Sequence, residues 1–197
     1  MSRLIIAAFA LLLAGCTAVA PERPRITESS TEAEPDDREL QEKWWTWAVS
    51  SPRDRNPVVD ETGEFCGEDQ PSDVWFFAGT FGGHAERTCQ VPAGRPLAGP
   101  AVNSMSNCGS LMRSAKGSVT LDGQQVALRR MEPAPITVKA VKDNPMGLRE
   151  GRREGQACGL WAWIEPLSPG EHELRIEGEF GDFKTSARYR LTVAAGD

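Results

Sequence analysis

From Asp73 to Val193 the chain is cut into short stretches, each closed within about 8–12 residues by a Gly, Pro or Asp-Gly signal. Val74–Thr80 is apolar and aromatic and ends at Phe81–Gly82–Gly83. Arg87–Val91 passes through Pro92–Ala93–Gly94 into Pro96–Asn103, which predicts two paired strands with a tight connection. Val119–Leu121, Asp122–Gly123 and Gln124–Leu128 read as strand, turn, strand, and Pro135–Val141 as a further strand. Gly159–Glu165 alternates Leu160, Ala162 and Ile164 with Trp161 and Trp163. His172, Leu174 and Ile176 alternate with Glu171, Glu173, Arg175 and Glu177. In the last strand Tyr189, Leu191 and Val193 point inward, with Arg188, Arg190 and Thr192 outward. Glu on one strand and Arg on the next suit cross-strand pairing. Asn144–Ala157, with three glycines and mixed charges, reads as a mobile loop.

The pattern predicts a mainly β chain: an immunoglobulin-like or jelly-roll-like β-sandwich over residues 53–197, stapled by disulfides, with one N-terminal helix. The helix is expected over residues 36–52. Asp36 with Glu39 three residues on resembles a capping box, and Pro52 stops the helix. Leu40, Trp44, Trp47 and Ala48 fall on one face, which packs across the sheet, while Trp45 lies off it.

Upstream, the chain carries an address. Met1–Ser2–Arg3 precedes an apolar run, Leu4–Leu13, whose ten residues span about 15 Å as a helix, half a bilayer core. Such a run suits a signal peptide rather than a transmembrane helix. It leads to Leu13–Ala14–Gly15–Cys16, which resembles the lipobox of bacterial lipoproteins. The resemblance implies cleavage after residue 15, lipid on Cys16, and a tether over residues 16–35 rich in Pro, Ser, Thr and Glu. Thr17 follows Cys16 rather than an inner-membrane retention Asp, which implies the outer membrane, on its periplasmic face or at the surface.

Of the five Cys, taking Cys16 for lipid leaves Cys66, Cys89, Cys108 and Cys158 for two disulfides in an oxidising envelope. Three pairings are open; Cys66–Cys89 with Cys108–Cys158 is the simplest expectation, each contributing about 3–4 kcal/mol. No C-x-x-C spacing occurs and His84 and His172 are the only histidines, so no metal or cofactor is expected.

Further motifs recur along the chain: Trp44-Trp45-x-Trp47, Asn56-Pro57, Asp60, Thr62-Gly63 and Val74-Trp75-Phe76-x-Ala78-Gly79-Thr80-x-Gly82-Gly83. Cys89-x-Val91-Pro92-Ala93-Gly94, Asn103, Asp122-Gly123 and Leu167-x-Pro169-Gly170-x-His172 continue them. As a set they resemble an uncharacterised family of bacterial secreted proteins and lipoproteins over about residues 41–193. The resemblance implies the fold and an exported compartment.

A formal charge of −6 argues against a nucleic-acid partner. Serine-hydrolase, zinc-protease, P-loop and dinucleotide signatures are absent. The acidic run from Asp60 to Asp73 matches no EF-hand spacing. The leading expectation is a non-enzymatic, membrane-anchored module that binds another envelope protein. A glycan- or cell-wall-binding module using Trp45, Trp161 and Trp163 as candidate contacts is the second reading, and a hydrolase the third.

Overall fold

A computed structural model of the chain describes residues 35–195. Cys16, the signal peptide and the tether to residue 34 lie outside the described residues. Among the described residues, no helix is long and apolar enough to cross a membrane.

The protein is a β-sandwich with a helix laid on one sheet. Helix α1, Asp37–Ala48, begins at Asp36, whose carboxylate accepts the Glu39 N–H at 2.9 Å. Nine strands follow: β1 Trp75–Phe76, β2 Gly83–Val91, β3 Leu97–Ser104, β4 Lys116–Leu121, β5 Gln124–Gln125, β6 Leu128–Ala140, β7 Gly151–Ile164, β8 Gly170–Phe180 and β9 Phe183–Val193. A short helix α2, Cys108–Ser114, separates β3 from β4. One sheet has the order β1-β3-β7-β6 and the other β2-β9-β8-β4-β5. All pairs are antiparallel except β1 with β3 and β2 with β9.

Alternation along each strand separates three apolar clusters. Trp44, Trp47, Phe76, Val138 and Trp161 fill the layer between α1 and the four-stranded sheet. Trp75, Phe77, Leu97, Leu174, Ile176, Tyr189 and Leu191 fill the space between the sheets. Phe76 and Trp75, adjacent in sequence, thus face opposite layers. The third cluster surrounds the Cys108–Cys158 disulfide, with Leu111 and Val102. The other disulfide, Cys66–Cys89, ties the loop before β1 to the edge strand β2. Strand β3 is buried on both faces from Leu97 to Val102, which accounts for its small residues Ala98, Gly99 and Ala101. Opposite it Gly117 and Gly178 pair across β4 and β8. A Cβ on Gly117 would stand 2.7 Å from that of Ala101, and one on Gly178 would strike the Ala101 carbonyl. These two glycines let the sheets close.

The structure departs from the expected strand layout in three places. Only Trp75–Phe76 of the stretch 74–80 pairs as strand, because beyond it the chain leaves the sheet. β2 and β3 do not pair: their connection crosses from one sheet to the other, and β2 lies beside β9 instead. Residues 151–157 are not loop but the first half of β7, paired with β6 from Ala140 back to Ala134. Arg152, Glu154 and Gln156 stand on the exposed face of a long hairpin, a composition shared with loops. Tyr189, Leu191 and Val193 point inward as expected, and Glu173 pairs with Arg188 of β9 and with Arg175.

Candidate binding site

At the end of the sandwich where β8 turns into β9, four segments converge: residues 78–81 after β1, 103–106 from the end of β3, the β6–β7 loop at Met146, and Phe180 with Phe183. With Trp44 and Trp45 of α1 they surround a half-open cavity of about 180 Å³. No charged side chain lines it. Phe81, at its rim, is 42% exposed and is the one large apolar side chain exposed among the described residues.

The walls are held by hydrogen bonds from inside the fold. Arg87 on β2 is 1% exposed. It donates to the carbonyls of Asp60 (2.7 Å), Val58 (2.9 Å), Ala78 (2.7 Å) and Gly79 (3.1 Å) and to the Tyr189 hydroxyl (2.5 Å). Tyr189 accepts the Ala78 N–H at 3.0 Å and donates to the Ala78 carbonyl at 2.7 Å. The pair clamps the 78–79 wall. Thr185 extends the clamp, accepting the Thr80 N–H at 2.6 Å and donating to its carbonyl at 3.1 Å. Ser104 Oγ accepts the Ser106 and Asn107 N–H groups, fixing the turn that carries Met105. Asn144 bonds Val141 and Leu148 and shapes the loop that carries Met146. Trp45 and Asn103 are among the lining residues; their side-chain nitrogens, Trp45 Nε1 and Asn103 Nδ2, are buried without an acceptor among the described residues.

The tryptophans are placed differently from the expected glycan platform. Trp45 is 3% exposed and walls the cavity, because α1 is covered on more than its main face. Trp161 is buried beneath α1, edge-on to Trp44 with ring centres 5.8 Å apart. Trp163 is half-buried, its Nε1 3.3 Å from the Glu165 carboxylate. The three make no coplanar exposed row. The four disulfide cysteines pair as Cys66–Cys89 and Cys108–Cys158.

The acidic run before β1 is organised by its own backbone. Asp60 accepts N–H groups from Thr62 and Phe65 and the Thr62 hydroxyl. Burial acts to raise its pKa, but these bonds outweigh it and hold the carboxyl below its ordinary value. No cluster of potential metal ligands occurs among the described residues. His84 is exposed beside Ser186.

His172 lies at the opposite end of the sandwich, where β4–β5 and β7–β8 turn. Its Nδ1 is 2.7 Å from the Asp122 carboxylate and its Nε2 2.9 Å from the Ser168 carbonyl. Both nitrogens face acceptors, an arrangement the imidazolium satisfies. Asp122, and then the Ser168 carbonyl, raise the His172 pKa against a smaller opposing effect of burial. The contribution is therefore fully present below the unfolded value near 6.5 and disappears as pH rises through the raised folded value. The melting temperature of the wild type is expected to fall over that rise, by the equivalent of under about 1 kcal/mol for a water-accessible pair. In His172→Gln that part of the slope vanishes; an unchanged slope in a pH series of thermal melts would contradict this account.

No family model matches the chain. It is 36% identical over 83 residues to Uncharacterized protein YbhP of Escherichia coli strain K12, a match covering 40% of this chain and 32% of that protein. The same figures hold for YbhP of E. coli O6:H1 strain CFT073 and of Shigella flexneri. The chain thus spans about a third of the length of these curated relatives. Among solved structures it is similar to PbICP-C in complex with falcipain-2, at 10% identity and a TM-score of 0.30, covering 62% of this chain and 99% of that one.

Proposed function

We propose that the protein is a lipid-anchored module of the bacterial envelope, attached through Cys16, that binds another envelope protein without catalysing a reaction. The observation that carries this reading is the placement of Phe81. A large exposed apolar side chain beside an apolar opening is the anatomy of an anchor that a partner covers. The sandwich supplies a rigid frame, and loops at its end supply the contact. The paired cysteines fit an oxidising compartment.

Crosslinking followed by pull-down from the native envelope tests this. The full-length wild type is expected to retain one stoichiometric protein. Phe81→Ser, a surface change with little effect on stability, is expected to reduce that recovery at least tenfold, the loss of about 1.4 kcal/mol or more from a central contact. Equal recovery by both would contradict a partner at this end.

A further inference from the structure

The edge of a β-sheet presents unpaired N–H and C=O groups to which a further strand can add, and folds that avoid this guard their edges. Three of the four edges here carry guards that can be named. On β1 the Gln70 side chain accepts the Phe76 N–H at 2.7 Å and donates to the Phe76 carbonyl at 2.9 Å. On β6 the Thr137 N–H points away from β7 and is accepted by Glu42 at 3.1 Å. Pro135, two positions earlier and so on the same edge, has no N–H to offer. At the far side of the other sheet, the Val119 carbonyl takes the Val126 N–H and the Gln125 side-chain amide, and Lys116 stands at the open end of β4. The fourth edge is β2, whose neighbour in the sheet is β9. In a parallel pair each residue turns its N–H and C=O to the same side, and successive residues alternate. The Thr88 N–H points away from β9, to the Thr62 carbonyl at 2.8 Å, so those of His84 and Glu86 point outward too. Among the described residues neither has a main-chain partner on that side. No Pro or Lys interrupts Gly83–Arg87. The His84 and Glu86 side chains are more than half exposed on the outer face, with His84 against Ser186, and leave the edge clear. This unguarded stretch begins two residues after Phe81.

We infer that the protein partner adds an extended segment as a further strand on the outer edge of β2 at Gly83–Arg87, and that the segment continues past Gly83 onto Phe81. The inference rests on the reading of Phe81 as a partner contact and gives that partner its chemistry. The segment offers main-chain N–H and C=O groups in line with those of His84 and Glu86, and an apolar side chain where it meets Phe81. In such an addition the main-chain bonds supply affinity and the side-chain contact sets the register. The Thr62–Thr88 bond closes the edge beyond Arg87 and limits the added strand to about five residues.

Crosslinking and pull-down of the full-length chain from the cells that produce it tests this with two substitutions at one position. Glu86→Pro deletes the outward N–H and sets a ring against an incoming strand, a change that edge strands tolerate where the N–H faces away from the sheet. Glu86→Ala keeps the N–H and removes the carboxylate, with its exposed ion pairs to His84 and Arg190. Recovery of the partner is expected to fall at least about tenfold in Glu86→Pro, from a lost hydrogen bond and a clash. In Glu86→Ala it should stay within about twofold of wild type, as for an ordinary surface change. Amide hydrogen exchange adds a readout that needs no variant. In the crosslinked wild-type complex the His84 and Glu86 N–H groups should exchange at least about tenfold more slowly than in the free chain, with Gln124 unchanged. Equal recovery of Glu86→Pro and Glu86→Ala, or unchanged exchange at His84 and Glu86, while Phe81→Ser still loses the partner, would overturn strand addition and leave the Phe81 contact standing. Equal recovery by wild type and Phe81→Ser would overturn both. A second copy of this chain as the crosslinked species would overturn the inference as well.

Discussion

Arg87→Met is expected to destabilise the protein by about 3–5 kcal/mol, the range for removing one partner of a buried charged network. The guanidinium is buried, and its hydrogen-bond partners among the described residues include no carboxylate. Its charge is balanced by the carbonyls of Val58, Asp60, Ala78 and Gly79 and by the Tyr189 hydroxyl. Tyr189 also lies beneath it, with the guanidinium carbon 5.2 Å from the ring centre. Methionine fills much of the same space but leaves the carbonyls of Val58, Asp60 and Gly79 without this donor, while the Ala78 carbonyl keeps the Tyr189 hydroxyl. Arg87→Lys keeps the charge, yet three donors on one nitrogen cannot span acceptors from residue 58 to residue 189. It should therefore lose most of the same stability. Urea unfolding of the three proteins measures this; a loss below about 1 kcal/mol in Arg87→Met would show that the clamp is dispensable.

Removing the disulfide between α2 and β7 with Cys108→Ala and Cys158→Ala should cost about 4 kcal/mol. The two residues are 50 apart, and closing a loop of that length in the unfolded chain accounts for the figure. Cys66→Ala with Cys89→Ala opens a loop of 23 residues and should cost somewhat less, about 3.5 kcal/mol. The difference between the bridges is small, and their consequences differ more in place than in size. Cys158 is fully buried and packs with Leu111 and Val102, so its loss loosens α2 and the end of β3, next to Asn103. Cys66 anchors the loop whose Thr62 carbonyl accepts the Thr88 N–H on the edge strand β2, so its loss exposes that edge. Denaturant midpoints under oxidising and reducing conditions separate the cases. Reduction breaks both bridges and should lower the wild type below either oxidised variant, to the level the reduced variants share, and a shift under about 1 kcal/mol would contradict the assigned role.

The parts of this fold visible in the residues are those set by local spacing. Asp36 caps α1 because a carboxylate three residues before Glu39 can reach its N–H, and that relation needs no distant partner. Tyr189, Leu191 and Val193 face inward because a strand's period is two. The errors arise where a distant element decides. The 100° step of a helix puts Trp45 off the main face, yet the side chain is covered, and Gln41 one turn earlier is buried although polar. The tight connection between β2 and β3 suggested pairing, but the chain there changes sheets, a choice made by β9 and β7 far downstream. Charged residues and glycines made 151–157 resemble a loop, and only their partners on β6 show a strand. α2 is short, and its apolar contacts depend on Cys158.

The binding site was the least legible feature. Phe81 could be read only as the residue before a Gly-Gly turn. The cavity wall joins Trp45, Asn103, Met146 and Phe183, segments that no local pattern connects. Arg87 looked like an ordinary strand position, since its acceptors lie from 8 to 29 residues earlier in the chain and 102 residues later.

The central proposal is that the end of the sandwich bearing Phe81 meets another envelope protein. The most direct test introduces a photoreactive phenylalanine analogue at Phe81, and separately at Gln124 in the exposed β4–β5 hairpin, in the full-length chain in the cells that produce it. The account predicts that light yields one discrete adduct with a second protein from position 81 and none from position 124. No adduct at 81, or the same adducts from both positions, would contradict it.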